Sequence, residues 1–170
     1  TCALPISGNS VTGNTLNSNG INGIYNRVTE QATSTTGPGD GPSDNTITGN
    51  TITNSGINGI LNEGSSPLIQ GNNIVGNGGS GIGNIPFLGS DGSPATASDD
   101  FLSRPVIGGS GQENIFTNNC TVDFNCADIY NFDTRPQDSA ATLLENNTYN
   151  SMTYPRIRQD WYGAVEVINN

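Results

Sequence analysis

The 170-residue chain has no histidine and no lysine, and its positive charge rests on five arginines, Arg27, Arg104, Arg135, Arg156 and Arg158. Against 15 acidic residues they leave a formal net charge of −10. That excludes nucleic acid as a partner, since neutralising phosphates takes clustered cations, and an anionic membrane surface for the same reason. No apolar run approaches the ~20 residues that cross a bilayer, and no charged-then-apolar signal segment is read, so membrane insertion is not expected. Beginning at Thr1 rather than Met, the chain reads as a processed product or a piece of something longer. Only 32% of residues are hydrophobic and 6% aromatic. A chain this poor in apolar residues would stay disordered unless each apolar residue were buried by a repeat of itself.

Such a repeat is present. Gly13–Asn26 reads GNTLNSNGINGIYN, Gly49–Asn62 reads GNTITNSGINGILN, and a looser copy, GNNIVGNGGSGIGN, spans Gly71–Asn84. The second and third copies start 22 residues apart, a spacing typical of one solenoid coil. The first two start 36 apart, which is one coil plus a loop. The surplus is placed at residues 30–43, rich in Gly, Thr and Pro. Asparagine and glycine, 25 and 23 residues, both tolerate the left-handed backbone that sharp corners need, and stacked asparagines can satisfy one another's amides.

Alignment of the copies assigns the columns. Leu16/Ile52/Ile74, Ile21/Ile57 and Ile24/Ile60/Ile82 are expected inside as aliphatic ladders, Gly20/Gly56/Gly78 and Gly23/Gly59/Gly81 at bends or close approaches, and Asn14/Asn50/Asn72 and Asn26/Asn62/Asn84 in amide ladders. A second insertion covers residues 85–101. The repeat then resumes in degraded form around Val106, Ile115 and Ile129, with 140–149 as the final coil. Residues 151–170, with Trp161 and the alternating stretch 164–168, are expected to cap the array, because a last coil otherwise exposes apolar residues and a free strand edge. Residues 1–7 fit the repeat poorly and leave the first coil uncovered.

Three cysteines bear on compartment. Cys120 and Cys126 flank a five-residue excursion and are expected to form a disulfide, the alternative being two buried thiols. Cys2 is then left over as a candidate intermolecular thiol. Asn119 and Asn146 fit the N-glycosylation acceptor pattern. With an acidic, lysine-free composition, these features suit an extracellular or cell-surface setting.

The Gly-Asn-x-Ile-x-x-Asn-x-Gly-x-x-Gly-Ile phrase resembles the right-handed parallel β-helix superfamily of pectate lyases, polygalacturonases and phage tailspikes. The later segments Pro105–Gly109, Asn114–Asn119 and Ala127–Tyr130 resemble its Asn/Gly-rich secreted repeat proteins, a mostly structural group. The resemblance covers roughly residues 8–150 and implies the fold; it does not carry an activity. Polygalacturonase-like hydrolysis needs paired carboxylates with a Gly-His-Gly element, and this chain has no histidine; Asp99 and Asp100 also fall in a loop. Lyase-like proton abstraction would have to use Arg104, Arg156 or Arg158 as base beside Asp128, Asp133 or Asp160, and arginine stays protonated. Ice binding fails because the Thr46–Thr48 and Thr51–Thr53 columns pass to Asn73 and Val75.

What survives is a single all-β domain over residues 1–170, a right-handed parallel β-helix of about five to six coils with two inserted loops. The function expected is that of an extracellular scaffold that stacks end to end with copies of itself. The competing expectation is a polysaccharide-binding or polysaccharide-degrading module, with Tyr130 and Trp161 as candidate glycan contacts. No catalytic set and no cofactor are expected. The candidate ion is Ca²⁺, for which Asp40, Asp44, Asp91, Asp99 and Asp100 supply hard oxygen ligands in turn-rich loops.

Overall fold

Strands of three residues cannot hold together alone; their alternation shows how they do so here. In β6 (Thr46–Thr48) and β7 (Thr51–Thr53) the central isoleucine is buried and the flanking threonines are half-exposed, the period of two that a strand imposes. Each strand then pairs in parallel with its equivalent one coil away. A computed structural model describes residues 2–4, 8–27, 39–40, 45–87, 101–122, 125–133, 142–150, 157–161 and 165–168, with backbone alone at 2–4, 39–40, 101–102, 133, 160–161 and 165–166.

The chain forms a right-handed parallel β-helix with three walls. Sheet A holds β1 (Cys2–Leu4), β4 (Ile24–Arg27), β8 (Ile60–Glu63), β11 (Ile82–Ile85), β15 (Ile129–Asp133) and β18 (Ile157–Trp161). Sheet B holds β2 (Ser10–Thr12), β6, β9 (Leu68–Gln70), β13 (Val106–Gly108), β16 (Thr142–Glu145) and β19 (Val165–Ile168). Sheet C holds β3 (Thr15–Asn17), β7, β10 (Asn73–Val75), β14 (Ile115–Thr117) and β17 (Thr148–Tyr149). The path runs B, C, A in every turn, which makes five complete coils with one further strand at either end. At about 4.8 Å per coil the array is roughly 25–30 Å long.

The interior is a set of ladders one residue wide. Ile24, Ile60, Ile82 and Ile129 line sheet A, Ile47, Ile69, Ile107 and Leu144 line sheet B, and Ile52, Ile74 and Phe116 line sheet C, all fully buried. Leu16, Tyr149 and Ile157 pack against them, with Tyr149 stacked on Phe116 at 5.3 Å. Each buried isoleucine contributes about 2 kcal/mol by transfer.

At four of the five corners between sheets B and C a residue in the left-handed region precedes an asparagine whose amide spans the coils. Between sheets B and C the first is Gly13, Gly49, Gly71 or Asn146, all with positive φ. The second belongs to a ladder five rungs long, Asn14, Asn50, Asn72, Asn114 and Asn147. In each of the first four, both the backbone N–H and Nδ2 donate to Oδ1 of the next, at 2.9–3.4 Å. The ladder therefore extends two rungs beyond the three visible in the repeats. Asn26, Asn62 and Asn84 form a second one. A third column, between sheets C and A, went unread in the sequence: Asn77 donates to Asn119, and Ser55 donates its N–H to Asn77. Glycine is required beside it, because a Cβ on Gly59 would lie 2.8 Å from Ile74 and 2.9 Å from the Asn77 amide.

One expectation needs correction. Ile21 and Ile57 are not an interior ladder; they are 56% and 50% exposed. They lie on the C-to-A corner, where Asn22 turns inward to accept from Asn58, so its neighbour in sequence faces out. At the start β1 pairs in parallel with β4, while β2 and β3 are the first strands of sheets B and C. The described strands of 151–170 extend the array, β18 pairing with β15 and β19 with β16, and Val167 on the last of them is 51% exposed. The two insertions, treated as separate loops, meet: β5 (Gly39–Asp40) pairs in parallel with β12 (Phe101–Leu102).

Two substitutions test the ladders. Asn72→Ala removes the acceptor of two Asn50 donors and the donor to Ile47 O and Asn114 Oδ1; it should cost about 3 kcal/mol in urea unfolding, and a loss below about 1 kcal/mol would refute the ladder's role. Ser55→Asn should do the opposite. Asn19 Nδ2 and Ser55 Oγ are buried with no partner, and an asparagine at 55 would accept from Asn19 as the later rungs do, raising stability by about 1 kcal/mol.

Candidate functional site

Because side chains alternate, each sheet has an outward face, and on sheet A that face carries the chemistry. One outer column reads Tyr25, Leu61, Gly83, Tyr130 and Arg158. The other reads Arg27, Glu63 and Ile85, with Phe132 the next rung, in register with Asp160 beyond it. Glu63, Ile85, Pro86, Tyr130 and Phe132 line a shallow cleft of about 410 Å³, within the range of about 300–1,000 Å³ common for small-molecule sites. The corner from sheet A to sheet B, where both insertions leave the coil, borders this cleft.

A chain of three contacts stiffens one end. The Tyr25 hydroxyl donates to Glu63 Oε2, and Arg27 Nε lies 3.3 Å from the same oxygen. The Arg27 guanidinium sits over the Phe87 ring, 4.8 Å from its centroid. Burial pushes the Tyr25 phenol up to about 12, with the hydrogen bond to Glu63 and that carboxylate's charge adding to it and Arg27 opposing. At the other end Tyr130 and Phe132 stack at 6.4 Å. Arg158 lies over Tyr130 at 5.8 Å and donates to Asn125 Oδ1 at 3.2 Å.

The residues singled out from sequence fall as follows. Tyr130 lines the cleft. Trp161 ends β18 on the same sheet, in register with Asp133; its side chain lies outside the described residues. Cys120 and Cys126 are disulfide-bonded, Cα to Cα 5.5 Å. They close the excursion at the C-to-A corner, where Val122 N–H donates to Gly78 O. Asn119 is buried, and its Nδ2 donates to Ile74 O and Asp128 Oδ1 at 3.0 Å. A glycan on that nitrogen is incompatible with the ladder. Asn146 is half-buried at a corner with positive φ. Cys2 stands in β1, described by its backbone alone.

Of the calcium candidates, Asp44, Asp91, Asp99 and Asp100 lie outside the described residues. Asp40 is paired in register with Leu102, so the two acidic loops approach each other. Among the described residues no three His, Cys, Asp or Glu side chains converge.

Sequence alignment missed the shared column of Tyr25 and Tyr130. Across that coil the equivalent residues are 47 apart, as Ser80 and Ala127 are, which hides the register. Arg27 and Glu63 were findable, since each follows the ladder asparagine of its copy, Asn26 and Asn62. No family model, curated protein or solved structure matches the chain.

The raised Tyr25 pKa gives a direct test. Folded Tyr25 holds its proton above the ordinary value near 10, so the folded state binds more protons than the unfolded one between about pH 10 and pH 12. The stability it contributes is fully present below pH 10 and is lost as pH rises through that window. In an ultraviolet titration one tyrosine should ionise near pH 12, and Tyr25→Phe should abolish that late phase; no late phase would refute the contact.

Proposed function

We propose that the protein is an extracellular β-solenoid scaffold that binds carbohydrate on the outer face of sheet A, a member of the right-handed parallel β-helix superfamily. The cleft supports this reading: Tyr130 and Phe132 beside Ile85 and Pro86 supply an apolar surface for the C–H face of a sugar ring, and Glu63 supplies a hydroxyl acceptor. Glycoside hydrolysis is not part of it. Glu63 is engaged by Tyr25 and Arg27, and it is the single carboxylate among the described cleft residues, whereas hydrolysis needs a pair. The Cys120–Cys126 disulfide supports the extracellular setting.

Tyr130→Ala and Phe132→Ala test the reading. Both side chains face outward and are half-buried, so each variant should stay folded while its affinity for immobilised polysaccharide falls at least about ten-fold. Unchanged retention on every polysaccharide that the parent binds would sink the proposal.

A second reading, end-to-end self-association, is favoured by Val167, the described end of sheet B's inner ladder, at 51% exposure. Burying it against another copy would remove apolar surface from water. Val167→Asp should then lower the sedimenting mass at high concentration, and a parent chain that stays monomeric there overturns this reading.

A further inference from the structure

We propose that the sheet A cleft selects uncharged sugars, and that Arg27 and Tyr25 are the positioning residues that set this preference by acting on Glu63; the proposal rests on the carbohydrate reading above.

Glu63 is the carboxylate among the cleft residues, and an unopposed carboxylate in an apolar cleft would draw a cation, such as the ammonium of an amino sugar. Here it is opposed. Arg27 Nε lies 3.3 Å from Glu63 Oε2, and the Arg27 head is in turn drawn onto the Phe87 ring at 4.8 Å. The pair carries no net charge, so a ligand ammonium gains little by approaching it. Tyr25 donates to the same Oε2. Both interactions therefore fall on one oxygen, which fixes the carboxylate plane and leaves Oε1 to accept hydrogen bonds from outside. A carboxylate accepts and cannot donate, so the complementary group is a neutral donor, the hydroxyl of a sugar.

Anionic sugars are disfavoured on separate grounds. The chain carries a formal net charge of −10, so a polyuronate approaches against the whole protein's field. Arg158, beside the cleft residue Tyr130, is held over that ring and bonded to Asn125 Oδ1. The remaining wall is Ile85, Pro86, Phe132 and the Tyr130 ring, which offers apolar contact to a sugar face and no counter-charge to an anion.

The test is binding by calorimetry or ligand-observed NMR with three probe sets: uncharged gluco-, manno- and xylo-tetraoses, galacturonate tetramers, and glucosamine tetramers. The parent chain should bind at least one uncharged tetraose about ten-fold tighter than either charged set. Arg27→Met removes the opposing charge and keeps an unbranched apolar side chain at the position. It should shift the glucosamine-to-neutral affinity ratio about five-fold toward glucosamine, and added salt should weaken that gain. A role of Arg27 in folding alone would lower affinity for all probes together and leave the ratio unmoved. Tyr25→Phe should weaken the neutral tetraose several-fold with no change in the ratio. Preference for a charged set, or a ratio unmoved in Arg27→Met, overturns this inference while leaving carbohydrate binding standing. No binding by any probe set overturns both.

Discussion

The amide-to-amide hydrogen bond between asparagines of successive coils is the contact on which the rest of the structure depends. A coil of three-residue strands has almost no cooperative length within itself, and every turn leaves corner N–H groups facing inward. An asparagine carries both a donor and an acceptor along the coil axis, so one side chain satisfies the corner above and below it. The run from Asn14 to Asn147 does this through all five coils. It also sets register: the buried amide has a partner in only one alignment of the coils, and that same alignment stacks isoleucine on isoleucine.

This arrangement leaves the outer faces a minor part in holding the coil together. Sheet A uses its outer face to assemble opposite charges and aromatic rings into neighbouring columns, where spacing along the axis follows the coil rise. Rigidity comes from the inside and chemistry from the outside. The Tyr25–Glu63–Arg27–Phe87 chain illustrates the division: its members come from β4, β8 and the corner after β11, and none of them belongs to the aliphatic ladders.

How far these features were legible differs by layer, for a physical reason. The inward residues repeat because identical neighbours must stack, so Ile24, Ile60 and Ile82 announce themselves in the sequence. Outward residues are under no such constraint. Tyr25, Leu61, Gly83 and Tyr130 share a column without resembling one another. Insertions at the corners then remove the regular spacing that would have revealed it. Ile21 and Ile57 misled for the converse reason: they repeat, yet corner geometry and not stacking places them, and they point to solvent. Ser55 hid the third amide column, because one missing rung was enough to break its pattern.

By itself the sequence determined the solenoid, the length of its coil, the two inserted loops, the aliphatic ladders at the strand centres and the first rungs of two amide ladders. All of these follow from repetition, and repetition is visible in one dimension. Only the tertiary structure decided that the N-terminal strand pairs with β4, that the two insertions meet, that Asn119 is buried, and that Tyr25, Glu63 and Arg27 join beside the cleft that holds Tyr130. Those relations hold between residues tens of positions apart and unlike in kind. Parallel stacking brings them together, whereas spacing along the chain does not.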